Sequence, residues 1–156
     1  VTNRIVLIGC GSNKIVTSGP VAARDLYTST YFDLKAQYAE RADLGFVLSA
    51  KYGLVCLEEA VETYERTIDD VDGEMRAAEI MAHLARLIEW KIWRIEEWDP
   101  DEDIVVEVLA GQDYVEPLRG FLGLGGFYEV KYPFDETSGI GDQMGWMKDE
   151  IEGAPA

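Results

Sequence analysis

A chain of 156 residues with 47% hydrophobic and 11% aromatic side chains can bury one core. This excludes a disordered segment and predicts a single domain over 1–152 with a frayed tail at 153–156. The formal charge of −16, from 30 acids against 14 bases, disfavours nonspecific binding to nucleic acid and points to a halophilic protein kept soluble in strong salt. Cys10 and Cys56 form no C-x-x-C pair, no run approaches the roughly 20 apolar residues of a membrane span, and no signal segment opens the chain. The expectation is a cytoplasmic protein with no disulfide, zinc site or membrane contact.

In chain order, the first predicted strand covers 4–10 and opens into Gly11, Ser12, Asn13 and Lys14. A helix over 20–40 follows, with Pro20 at its first position, where a missing N–H costs nothing. The apolar strand 45–50 runs into a turn holding Lys51, Tyr52 and Gly53. Residues 58–74 are rich in acids and read as a solvated connection. Asp72, Gly73 and Glu74 then start a helix over 73–98, with acids at the positive end of its dipole. Its apolar face is Ala77, Ile80, Leu84, Leu87, Ile88 and Ile95, and Trp98-Asp99-Pro100 ends it. Strand 103–110, helix 113–123 with Asp113 as N-cap, strand 128–132 and helix 141–151 complete the alternation. Buried strands alternating with helices predict an α/β fold, a mainly parallel central sheet of about four or five strands flanked by helices.

Open α/β sheets bind ligands beyond the carboxyl ends of their strands, so the loops there are the candidate site. Cys10 is a candidate nucleophile near Lys14, with Ser49 and Lys51 as further catalytic candidates. The Gly-x-x-x-x-Gly-Lys-Ser/Thr spacing is absent, so nucleoside triphosphate hydrolysis is not expected. Ser12, Lys14, Tyr27, Ser29, Tyr52, Gly53, Gly111, Tyr114, Gly139, Gly141 and Gln143 are the substrate-binding candidates, offering hydrogen bonds, an ammonium, stacking rings and Gly-rich turns. Each also has a structural alternative: a buried thiol, a strand-terminal turn, core packing or a flexible loop. His83, the one histidine, reads as a boundary residue on the long helix, so neither a metal site nor a cofactor is expected. Residues 1–57 carry six bases and four acids, which leaves room for a local basic patch of Arg4, Lys14, Arg24 and Lys51.

Several of these segments together carry a resemblance. Cys10-x-Ser12-x-Lys14, Leu26-Tyr27-x-Ser29-x-x-Phe32, Leu48-Ser49-Ala50-Lys51-Tyr52-Gly53-Leu54, Tyr64, Ala110-Gly111-x-x-Tyr114 and Gly139-x-Gly141-x-Gln143 look like an uncharacterised archaeal, bacterial and phage domain family. That family is similar to the peroxide stress protein YaaA, with its cantaloupe fold, and to the Cys/Lys/Ser-motif domain of archaeosine synthase. Gly9 stands where archaeosine synthase has proline, and Ile15-Val16 replaces its Pro-Tyr. The resemblance implies work on nucleic acid or modified bases: an enzyme transferring a group to a nucleobase or nucleotide, or alternatively a non-catalytic, DNA-associated stress-protection module.

Overall fold

The computed structural model describes residues 2–10, 14, 19–63 and 72–153. Strand β1 (Thr2–Gly9) lies at the centre, and its alternation decides the layering. Val6 and Ile8 point into a cluster with Phe32, Ala36 and Ala39 of one helix and Met147 of another. Ile5 and Leu7 point into a second cluster with Ala77, Ile80, Leu84, Leu118 and Leu122. A strand buried on both faces has no polar alternation, which is why residues 5–8 form an unbroken apolar run.

The first face is covered by α2 (Thr30–Glu40) and α5 (Ile140–Gly153), the second by α3 (Gly73–Glu89) and α4 (Gln112–Gly123). The remaining elements of the main sheet are β3 (Leu44–Ser49), β4 (Gly53–Cys56), β6 (Asp103–Leu109) and β7 (Glu129–Lys131), in the order β4-β3-β1-β6-β7. All neighbouring pairs are parallel except the β3–β4 hairpin. A two-stranded ladder joins β2 (Val21–Ala22) to β5 (Ala60–Val61). The expected α/β fold, a mainly parallel sheet flanked by helices, is therefore present, with five strands in the main sheet.

Three expectations need correction. Residues 20–40 are not one helix. Pro20 precedes β2, a single turn α1 (Ala23–Leu26) follows, and the chain breaks at Tyr27 before α2. The hydroxyls of Thr28-Ser29-Thr30 favour such a break, and Ser29 Oγ accepts a hydrogen bond from Phe32 N at 3.0 Å as the N-cap of α2. Ser29→Ala should cost about 1 kcal/mol of stability in urea unfolding, with the slope unchanged.

The long helix also ends sooner than expected. It passes into a π-helical turn at Trp90–Arg94, then reverses through Glu96 at φ +53°, with Trp98 N donating to Lys91 O. That reversal folds Trp98 into the second cluster, while Trp90 and Trp93 stay exposed. Pro100 is not what stops the helix. Finally, the N-cap of α4 is Gly111 rather than Asp113, which sits inside the first turn. The start of α3 is as read: Asp72 caps it, its carboxylate accepting from Met75 N. Among the described residues no helix is long and apolar enough to cross a membrane.

Candidate functional site

Strand order reverses at β1. The chain leaves it for β3 on one side and later returns, through α3, to β6 on the other. The gap between the carboxyl ends of β1 and β6 is the topological switch point, where open α/β sheets present their ligand crevice. Two residues from the two sides meet there. Cys10 follows β1 directly, and its Sγ lies 3.1 Å from the hydroxyl of Tyr114, in the first turn of α4. The start of α4 right after β6, with Gly111 as its cap, aims Tyr114 back across the strand end.

A third group comes from below. Lys35, on α2, is only 4% exposed, and its Nζ donates to Gly9 O at 2.8 Å. Gly9 permits this close packing. A Cβ there would stand 3.2 Å from Ala110 Cβ, 3.3 Å from Ala110 Cα and 3.6 Å from Lys35 Nζ. Burial disfavours the ammonium and brings the Lys35 pKa down to about 8, with Cys10 opposing that shift through its negative form. Lys35 therefore titrates near pH 8 close to a thiol.

Aromatic rings enclose the lysine. Its Nζ lies 4.5 Å from the centroid of Tyr31, whose hydroxyl donates to Gln143 Oε1 on α5. Burial raises the Tyr31 pKa to about 12, so this phenol stays a hydrogen-bond donor at physiological pH. Further down the same face, Tyr38 OH donates to the buried Glu107 at 2.5 Å, and Arg4 pairs with the other carboxylate oxygen. Desolvation, then the hydrogen bond to Glu107, pushes the Tyr38 phenol up.

The structure brings together Cys10 and Tyr114, and sets Gln143 behind them through Tyr31. Ser49 is one strand away, since Gly9 pairs with Leu48. Its buried Oγ accepts from Lys51 N and Tyr52 N at 3.3 and 3.1 Å, holding the hairpin turn. Lys51 is exposed on that turn, its Nζ 5.0 Å from the Tyr52 ring. Tyr52 OH bonds to the backbone of Glu62, and Gly53 adopts φ +76°, the conformation that favours glycine.

Lys14 forms a bridge with Tyr27, which is buried and packs on Phe32, and Ser29 serves as a helix cap. Gly139 and Gly141 are exposed at the start of α5. Ser12 and Tyr64 lie outside the described residues.

Lys35 and Tyr31 were missed. Their signal is present in α2: Tyr31, Leu34, Lys35 and Tyr38 share a helical face, and a lysine in the middle of such a face needs a buried partner. Two of the four bases of the expected patch are engaged by carboxylates. Arg4 lies six residues before Cys10, about 20 Å along the strand, and is paired with Glu107. Arg24 is paired with Glu40 and Glu58. Among the described residues no group of three or more His, Cys, Asp or Glu side chains is arranged to hold a metal ion.

Comparison with known proteins adds a family and little else. Residues 5–149 match a family of unknown function (DUF6884), nearly the whole chain, and the protein belongs to that family. No curated protein and no solved structure matches the chain.

Proposed function

We propose that this member of the DUF6884 family is a group-transfer enzyme acting on a nucleobase or modified base, with Cys10 as its nucleophile. The observation that carries this reading is the meeting of Cys10, Tyr114 and Lys35 at the switch point of a parallel sheet. A buried lysine titrating near pH 8 is costly to a fold, and such groups are concentrated in active sites. The surrounding tyrosines offer flat apolar walls to a heterocycle, and the motif likeness to YaaA and archaeosine synthase points to the same substrate class.

In this reading the neutral amine of Lys35 takes the thiol proton, and the sulfur bonds to an electrophilic ring carbon of the base. The bond from that carbon to its leaving group breaks, and the leaving group departs with the proton from Lys35. An incoming amine or water then displaces the sulfur and returns a proton to the thiolate. Tyr114 donates a hydrogen bond to the sulfur between the two halves. Ser49 and Lys51 act in the adjoining hairpin, Ser49 by fixing the turn and Lys51 as an exposed cation at the mouth. The alternative, a module gripping a DNA backbone, calls for a compact basic patch, and the locked positions of Arg4 and Arg24 give it no support.

The test is native mass spectrometry of the protein purified from its own host in matched salt. The expected result is a retained base or nucleotide that Cys10→Ala still binds but no longer converts. A protein that instead carries nucleic acid, or a ligand turned over equally well by Cys10→Ala, contradicts the proposal.

A further inference from the structure

We infer that the pocket between α3 and the β3–β4 hairpin holds a phosphate monoester, so that the substrate proposed above is a mononucleotide rather than a free base. This rests on the proposed action on a base and narrows it. The pocket encloses about 340 Å³ and is walled by Tyr52, Gly53, Arg76, Glu79, His83 and Arg86. The four α3 residues recur at spacings of three and four, so they share one helical face.

The charge here runs against the rest of the chain. Two guanidiniums and the one histidine face a single carboxylate, Glu79, in a protein whose formal charge is −16. The larger cleft beside α5, of about 820 Å³, shows the opposite balance, with Glu107, Glu136, Asp142, Asp149 and Glu150 set against Lys131 alone. A local positive pocket in a negative surface selects a small anion and repels a polyanion, whose neighbouring charges would meet carboxylates.

Arg76 builds the wall. Its guanidinium donates to Ala50 O and Lys51 O at 3.0 and 3.4 Å and to Glu79 at 2.9 Å, tying α3 to the hairpin turn. Gly53 lets it approach, since a Cβ at that position would stand 3.2 Å from Arg76 Nη1. The Arg76 Nε is buried with no hydrogen-bond partner among the described residues. Such an orphan donor costs free energy. Arg86 is exposed at the rim and His83 half-buried beside it, so both reach an incoming oxyanion. Guanidinium groups and an imidazole are the donors a phosphate monoester needs.

Arg76 also adjoins the proposed reaction site through packed side chains. Arg76 and Tyr114 lie in the same closely packed seam between α3 and α4, and Tyr114 contacts Cys10. Gly53 pairs with Ser49, which follows the β1-paired Leu48, so the turn stands two strand spacings from β1, about 10 Å.

One histidine gives a single-site reporter. Inorganic phosphate is titrated into the protein at constant pH and ionic strength while the imidazole ¹H resonances of His83 are followed, with chloride as the control. The expected result is a saturable displacement whose apparent affinity falls about tenfold in Arg86→Gln, an exposed substitution, and is unchanged in Cys10→Ala. No displacement beyond the chloride control, or a non-saturating one indifferent to Arg86→Gln, overturns the inference. A normal phosphate titration in a protein whose Cys10 proves inert would instead overturn the proposed chemistry and leave this pocket standing.

Discussion

Lys35→Met should change how stability depends on pH, with little change of fold. The Lys35 pKa is about 8 in the fold against 10.5 in the unfolded chain, because burial disfavours the ammonium. Between those values the unfolded chain binds more protons than the native state, so stability rises with pH across the window. Below pH 8 both states are protonated and the fold carries the full penalty of a buried cation. Above 10.5 the penalty is gone. The unfolding free energy of the wild type minus that of Lys35→Met should therefore grow by about 3 kcal/mol between pH 7 and pH 11. Urea titrations of both proteins at several pH values measure it. Tyr31, whose pKa is raised to about 12, acts in the opposite sense at the alkaline end, and taking the difference removes most of its contribution. A difference that stays flat with pH would mean that Lys35 is not buried as an amine at the end of β1, and the proton-exchanging role would go with it.

Much of this fold was legible because its strongest signals are local. The apolar run of β1, the Asp72 cap of α3 and the strand at 103–109 each declare themselves within a few residues. The short hairpin strand β4 and the two-residue β2–β5 ladder did not, since pairing partners, and not their own sequence, make them strands. The helix over 20–40 failed at Thr28 and Ser29 because hydroxyls that compete for the backbone also serve as caps. The same limit shaped the site. Cys10 and Tyr114 could be proposed separately, each at a strand end, but only the parallel register of β1 and β6 makes them neighbours. Lys35 hid in plain view. It lies 25 residues along the chain from the thiol and was counted only as one base among six, whereas its meaning comes from the tyrosines of its own helical face. His83 likewise reads as a boundary residue until the hairpin turn brings Tyr52 and Gly53 against α3.

The central claim is that Cys10 and Lys35 act as a coupled pair, and thiol reactivity tests it without knowledge of the substrate. Thiolate is the form that alkylates, and a neighbouring ammonium increases its share. Cys56 is exposed and would obscure the signal, so the measurement is made in Cys56→Ala. The rate of Cys10 alkylation by iodoacetamide, read by intact mass at pH 7.5, should fall about tenfold when Lys35 is replaced by methionine. Tyr114→Phe should change it in the same experiment by removing the 3.1 Å contact to the sulfur. Equal rates with and without Lys35, in proteins that unfold at the same urea concentration, would contradict the account: Cys10 would then be a half-buried thiol beside an unrelated lysine, and the switch point would lose its nucleophile.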